Sequence, residues 1–508
     1  MKMKKLIGLL VCVTMALTAC SGTASSSTSA SGSGASAGEV EEIVFSTWTI
    51  NTLPSDDAIQ SVEDEINKII EDKIGVRIDY KIFPLAEYSQ KVALELQSGG
   101  QIDIFSLANN FQSVVAEGMC YDITDLVDTY CPNAEELLPE DWWECAKVQG
   151  KLYGLPAFTP KALGVNIAWR SDIAEELNLD MENVDSVEDL TEIFAKVKEA
   201  HPEMYPLIGG NGGTGGLTSM TYAIEGVDTM GDNVVLPAGV LIGDSDTVVN
   251  LFETEEYAKQ MQLVREWYEK GYVMQDLATT TLTNIEILSG GNAFCNLTLQ
   301  GGAADVVAAN ASVQTSQPIV SKYIGACTMN TMNAMGQGLC VASTSQHPEA
   351  ALKFLDLLYE DAEVANLIEW GIEGRDYVVN EDGTVSPPDG FDSASVPYPG
   401  GYINIPSSYC GLEYVAAGTT EESIDFGVEN IYNAPRVRSF GFVFDPTNVS
   451  AQYASVNNVI IQYYSGLDCG SVDPETTIPA FNQALKDAGI DEIIAEKQAQ
   501  YDAWRAAQ

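Results

Sequence analysis

Between Val40 and Leu107 the apolar residues change their spacing from strand to helix and back twice, and this alternation restricts the fold more than any other feature of the chain. Val40 to Trp48 reads as a strand. After Pro54-Ser55, the residues Ile59, Val62, Ile66, Ile69 and Ile70 fall on one face of a helix that Gly75 ends. Val76, Ile78, Tyr80 and Ile82 then alternate with Arg77, Asp79 and Lys81, which predicts a second strand. Another helix is expected from Leu85 to Gln97, stopped at Gly99-Gly100, with a short apolar run from Ile102 to Leu107 behind it. Strand, helix, strand, helix, strand is the pattern of a parallel α/β sheet. Ligands of such sheets bind beyond the carboxyl ends of the strands, which brings forward Trp48 and the segment Asn109-Asn110-Phe111. Asp103, inside the third strand, suits a backbone-bonding or capping role at least as well as a ligand contact.

The residues ahead of this sheet are of another kind. Lys2, Lys4 and Lys5 precede an apolar run from Leu6 to Leu17 that is too short to span a bilayer, and the pattern over residues 1–19 is that of a secretory signal peptide. Leu17-Thr18-Ala19-Cys20 resembles the lipobox of bacterial lipoproteins. That resemblance implies cleavage before Cys20 and a lipid on Cys20, hence a protein anchored at the extracytoplasmic face of a bacterial cell membrane. From Ser21 to Gly38 the chain is almost entirely Ser, Gly, Ala and Thr, which buries no core and forms a flexible tether. Its root-mean-square span is about 25 Å and its full reach about 60 Å.

About 470 residues follow, more than one hydrophobic core usually serves, so two or three subdomains are expected. The chain carries 25 Lys+Arg against 73 Asp+Glu. Such an acidic surface offers few cations to a phosphate backbone and is repelled by an anionic lipid face, which argues against nucleic acid as a partner and for anchoring by lipid. Beyond Cys12 and Cys20, eight cysteines remain: Cys120, Cys131, Cys145, Cys295, Cys327, Cys340, Cys410 and Cys469. They read as buried free thiols, with disulfides the alternative outside the cytoplasm.

Tyr88-Ser89-Gln90-Lys91, then Ser98-Gly99-Gly100-Gln101-Ile102-Asp103-Ile104, then Gly150-Lys151-Leu152-Tyr153-Gly154-Leu155-Pro156, in this order behind a lipobox, resemble the extracellular solute-binding proteins that feed carbohydrate ABC importers. The resemblance continues through Ala168-Trp169-Arg170-Ser171-Asp172 and Ser186-Val187-Glu188-Asp189-Leu190, where Ser186 is expected to cap a helix reaching Ala200. It includes Gly290 to Phe294 with Leu299-Gln300-Gly301-Gly302, and Gly338 to Ser343 with His347-Pro348. Glu369 to Tyr377 resembles a segment of a Gram-positive subset, and Phe440 to Gln508 resembles the C-terminal domain of uncharacterised function attached to that subset. Gly209 to Gly216 reads as a loop bordering a cleft. From the residues alone, Glu256 to Lys270 is an amphipathic helix with Tyr257, Met261, Val264 and Tyr268 inward, and two helices end the chain.

The resemblance implies an α/β fold of two lobes joined by a hinge, of the type II periplasmic-binding-protein kind, with a helical C-terminal extension. It implies a first lobe of residues 39–157 and 336–362, a second of residues 158–335 and 363–439, and a C-terminal module of residues 440–508 packed on the lobes. The protein is then a monomeric binding protein, without cofactor or metal, that takes a carbohydrate from outside a Gram-positive cell and hands it to permease subunits in the membrane.

The chemistry is in keeping with that. The two histidines, His201 and His347, each stand directly before a proline, which leaves no H-E-x-x-H and makes a histidine-based triad a poor fit. A pyranose needs aromatic faces for its C–H surfaces and donors and acceptors for its hydroxyls. Trp48, Phe111, Phe158, Trp169, Tyr222, Trp370, Tyr377 and Tyr402 are the aromatics at strand ends, crossings or loops. All of these except Tyr222, with Asn109, Asn110, Gln300, Glu373 and Arg375, make the candidate ligand site, and Trp370 beside Glu373 and Arg375 leads it. The opposing reading of that turn is an internal Glu373–Arg375 or Arg375–Asp376 pair. An extracellular glycan-acting enzyme, which needs two carboxylates at a defined separation, and a binding protein for a peptide or other solute are the alternative functions.

Overall fold

The computed structural model describes residues 40–209, 223–224, 226–233, 236–280, 282–400 and 409–508. The expected signal and tether, Cys20, Tyr222, Tyr402 and nearly all of residues 209–216 lie outside the described residues. The first lobe begins with β1 (Glu41–Thr49), α1 (Asp56–Ile74), β2 (Val76–Pro84), α2 (Leu85–Ser98) and β3 (Ile104–Ser106), followed by the short α3 (Phe111–Ala116). Ser55 caps α1 by accepting from the Ala58 N–H, and Gly75 ends it in the left-handed region at φ 67°. Val62, Ile66 and Ile70 of α1 are fully buried, and alternate residues of β2 point into the core. β1 pairs in parallel with β2 on one side and β3 on the other. Asp103 is structural: its carboxylate accepts from the Val44 N–H at 2.8 Å and from Ser345 Oγ at 2.6 Å.

After Ala157 to Lys161 the chain enters a second sheet. Its elements are β4 (Leu163–Arg170), α4 (Leu190–Ala200), β5 (Tyr205–Ile208), α5 (Glu255–Glu269), β6 (Ala293–Gln300), α6 (Ala304–Thr315) and β7 (Ile319–Thr328). The order is β7-β4-β6-β5, with β5 parallel to β6 and the other neighbours antiparallel. Two local expectations are corrected here. Ser186 does not cap α4; Asp189 accepts from the Ser186 N–H and Oγ, each at 2.8 Å, and the helix starts only at Leu190. In α5 it is Trp267, not Tyr268, that joins Tyr257, Met261 and Val264 inside, and its indole donates to Thr191 Oγ1 at 2.9 Å.

The chain returns through α7 (Thr331–Met335) and β8 (Leu339–Val341), which lies antiparallel to β3 and completes the first sheet as β8-β3-β1-β2. α8 (Pro348–Leu357) starts at a proline, and α9 (Ala362–Trp370) follows. Residues 363–439 were expected with the second lobe, yet Val364, Ala365, Ile368 and Tyr398 pack into the first core. The cause is apolar burial against α1, reinforced by Asp361, which caps α9 and pairs with Lys73 of α1. The segment around 435–437 then runs beside Met329, with Met329 N–H donating to Pro435 O and Val437 N–H to Met329 O.

Three helices end the chain: α10 (Ser450–Asp468), α11 (Pro474–Ala488) and α12 (Ile490–Ala507). They are not a separate module resting on finished lobes. Val456, Ile460, Phe481, Leu485, Ile490, Ile493 and Tyr501 share one core with Ile224, Met230, Val240, Leu251, Phe252, Tyr257 and Met261. The second sheet has its own core, and the three together serve the described chain. The eight cysteines from Cys120 to Cys469 are all free, six of them buried. Among the described residues no helix is long and apolar enough to cross a membrane.

Candidate functional site

At the carboxyl end of β3 the backbone bends sharply, with Ala108 at φ 46° and Asn109 at φ 62°. Such values are uncommon without glycine and are best tolerated by Asn. The Asn109 N–H donates to Gly336 O at 2.8 Å, tying the bend to the end of α7. The bend opens α3 toward the second half of the molecule, where a cavity of about 250 Å³ is lined by Asn109–Ser113, by Thr331, Met332, Met335 and Gly336, by Met230, Gly231, Asn233 and Leu236, and by the C-terminal residues Phe442, Val443, Phe444, Tyr453 and Asn457. Aromatic and thioether surface from Phe111, Met332, Met335, Phe442 and Phe444 alternates with the amides of Asn109, Asn110, Gln112, Asn233 and Asn457. No described residue lining it is charged.

Its walls are held from behind by buried polar groups. Gln112 Nε2 of the first lobe donates to Phe444 O at 2.8 Å. Tyr453 OH donates to Asp232 Oδ1 at 3.0 Å, so the tyrosine turns its ring rather than its hydroxyl to the space. Asp232 also pairs with Lys497 Nζ at 2.6 Å, both side chains fully buried, and the same ammonium donates to Gly239 O and stands 5.2 Å from the Phe444 ring centroid. Burial and the neighbouring Asp232 raise the Tyr453 phenol well above its ordinary value. Asp228 accepts from the Met230 N–H and from Ser439 N–H and Oγ, which fixes the loop leading to Met230; burial still raises its carboxyl. Asn457 Oδ1 and Asn333 Nδ2 are buried without a partner among the described residues.

Of the expected site residues, the structure brings Asn109, Asn110 and Phe111 to this cavity. Asn110 Nδ2 also donates to Ser89 Oγ at 3.2 Å. Trp48, Phe158 and Trp169 are corrected from ligand platforms to core side chains, because each is more than nine-tenths buried. The Trp48 indole donates to Ser106 Oγ at 3.0 Å, Phe158 meets the Tyr432 ring edge-on at 5.8 Å, and Trp169 lies in the core of the second sheet. Gln300 ends β6, half-buried, with its amide 3.5 Å from Thr298 Oγ1, and lines none of the described cavities.

Trp370 and Tyr377 share a smaller depression of about 150 Å³ on the first lobe, with Val385, Pro387, Val396 and Gly400 around them. The Trp370 indole donates to Tyr414 O at 3.0 Å, and burial pushes the Tyr377 phenol up to about 12. The charged fork expected beside Trp370 is absent as such. Arg375 is spent on Asp376, with Nη2 at 2.6 Å, and on Ser61 Oγ of α1, while Glu373 lies exposed on the turn. The internal pair was the opposing reading, and it holds because Asp376 is itself buried, accepting from the Ile372 and Tyr398 N–H groups. Lys161, at the first crossing, is half-buried; burial pushes its ammonium down to about 8, and it lines neither space.

The C-terminal wall of the larger cavity was missed from sequence. Phe442 and Phe444 fall in the stretch that resembles the C-terminal domain of uncharacterised function, a resemblance that assigns them no role, and Tyr453 and Asn457 carry no motif of their own.

Comparison with known proteins fits this geometry. Residues 65–373, more than half of the chain, match the family described as bacterial extracellular solute-binding protein, and residues 438–506 match a domain of unknown function. A carbohydrate ABC transporter substrate-binding protein of Streptococcus pneumoniae is 24% identical over 446 residues, covering 86% of each chain. The fructooligosaccharide ABC transporter substrate-binding protein FusA of the same organism is 23% identical over 485 residues, again covering 86% of each. The crystal structure of the N-glycan transport solute binding protein NgtS from Streptococcus pneumoniae superposes with a TM-score of 0.76 at 24% identity, covering 91% of this chain and 98% of that one. NgtS has also been solved in complex with Man5GlcNAc. These matches share the two-lobe fold.

Proposed function

From its place among the bacterial extracellular solute-binding proteins, the family to which this chain belongs, we propose that the protein captures a carbohydrate, an oligosaccharide, between its lobes and delivers it to the permease of an ABC importer. The observation that carries this reading is the lining of the interlobe cavity. Aromatic faces beside a set of side-chain amides suit the C–H faces and hydroxyls of a sugar ring. An amino acid or peptide terminus would bring an ammonium or carboxylate that needs an opposite charge, and no described residue there supplies one.

The relatives named above as carbohydrate and fructooligosaccharide binders, and the NgtS complex with Man5GlcNAc, support the same class. Ligand contacts to both lobes favour the closed arrangement over the open one, with the hinge at the three crossings, and the permease reads the closed form. In this reading the protein performs no covalent chemistry and acts as a monomer. Cys20 carries the lipid that holds it at the outer face of the cell membrane; Cys20→Ser should release it into the medium, and retention in the membrane fraction would refute the anchor.

The direct test is a thermal-shift screen of the purified chain against mono- and oligosaccharides, with peptides and amino acids alongside. A ligand at a hundred times its dissociation constant stabilises by about 2.7 kcal/mol. A raised melting temperature with a sugar recovered intact supports binding without turnover. A peptide hit with silence across sugars would overturn the carbohydrate reading.

A further inference from the structure

We infer that the C-terminal module is part of the ligand-reading surface, and that the cavity it closes holds one uncharged monosaccharide unit and discriminates against acidic sugars. The inference rests on the carbohydrate reading above and says which part of the ligand this space takes. Three observations carry it.

The first is charge. A chain with 73 acidic and 25 basic residues places none of them on the described lining of this cavity. Behind the wall, Asp232 and Lys497 neutralise each other at 2.6 Å, fully buried, and their remaining bonds go to Tyr453, Gly239 O and the Ala238 N–H. A uronate, sialate or sulfate entering here would lose its water and find no cation among the described lining residues, which disfavours it against a neutral sugar.

The second is size. At about 250 Å³ the space lies below the roughly 300–1,000 Å³ of sites that enclose drug-sized ligands, which suits one ring rather than a chain of them.

The third is an unmet acceptor. Asn457 Oδ1, on a half-buried side chain that lines the cavity, has no partner among the described residues. Buried polar atoms are seldom left so. A sugar hydroxyl donating to it would satisfy it, while Phe442, Phe444 and the ring of Tyr453 offer apolar surface. Lys497 and Asp232 are then positioning residues: they touch no ligand, but they hold the Tyr453 ring and the Phe444 face in place.

The test is calorimetric titration of the full chain with two probe sets, neutral fructan and mannan oligosaccharides and acidic oligogalacturonates and sialylated glycans, repeated on Asn457→Ala and Leu236→Trp. Asn457→Ala removes the acceptor. Leu236→Trp fills the cavity from a half-exposed position and leaves no void, so a melting temperature close to that of the parent chain is expected for both. Expected are a neutral ligand at least tenfold tighter than any acidic probe, and at least tenfold weaker binding of it in both variants. Acidic probes binding as tightly as neutral ones would overturn the charge selection. Variants that bind as the parent does would overturn the C-terminal wall while leaving the carbohydrate reading intact. Failure of every sugar to bind would overturn both.

Discussion

Glu369 and Trp370 stand side by side at the end of α9 and answer to different physics. Glu369 is buried, and burial first, then the Glu413 carboxylate, raises its carboxyl well above the ordinary value of 4.5. The folded chain therefore keeps a proton that the unfolded chain releases, and stability falls as pH rises through about 4.5. Glu369→Gln, which copies the protonated form, should match the parent near pH 4 and melt at a higher temperature at pH 8. An equal difference at both pH values would remove the carboxyl as its cause. Trp370 keeps its indole N–H on Tyr414 O and one face toward the small depression it shares with Tyr377. With the Arg375 fork spent on Asp376, the aromatic face is what remains for a sugar. Trp370→Ala should weaken a bound oligosaccharide at least tenfold while unfolding stays cooperative; unchanged affinity in a titration would take Trp370 out of the site.

At the scale of elements, the C-terminal helices behave as part of the second lobe. Ending the chain after Ser439 would strip the core from Ile224, Val240, Leu251, Phe252 and Tyr257. The truncated chain should aggregate or lose its cooperative melting transition, as read by size-exclusion chromatography and calorimetry; a soluble, cooperatively melting product would show that residues 224–261 find another cover. Periodicity made much of the rest legible. The spacing of Val62, Ile66 and Ile70 and the alternation of β2 placed α1 and β2 within a residue or two, because each has one dry face. It could not tell which core an apolar helix serves, so α9 was assigned to the second lobe although its dry face meets α1. Nor could it separate a platform from a core ring. Trp48, Phe158 and Trp169 stand at the expected strand ends and crossings, yet packing rather than spacing decides that they turn inward. Asn109-Asn110-Phe111 was legible because strand ends in parallel sheets are where loops gather. Its counterpart across the cavity was not, since Phe442 and Tyr453 meet it only through long-range packing.

For the whole molecule, the balance of charge and the uncharged cavity make opposite statements about salt. The surface of a chain with 73 acids and 25 bases responds to ionic strength at its exposed pairs, such as Lys68–Glu65 or Lys91–Glu87. A neutral ligand in an uncharged cavity does not. Affinity for a neutral sugar should therefore stay within about twofold between 0.05 M and 0.5 M salt, measured by titration calorimetry, since the screening length falls across that range and there is no ligand charge to screen. A steep loss with salt would require a charged contact in the site.

The pair of Lys497 and Asp232 joins positions 265 residues apart, and with it the core that closes the cavity. Synthesis delivers the acid first. At about 5–20 residues per second the lysine follows roughly 13–53 s later. Through that interval the stretch around Met230, Val240 and Phe252 has its hydrophobic side open to chaperones or to a neighbouring nascent chain. The binding surface thus becomes complete last, with the arrival of the carboxyl terminus, and a chain cut short in synthesis would lack the wall its ligand needs.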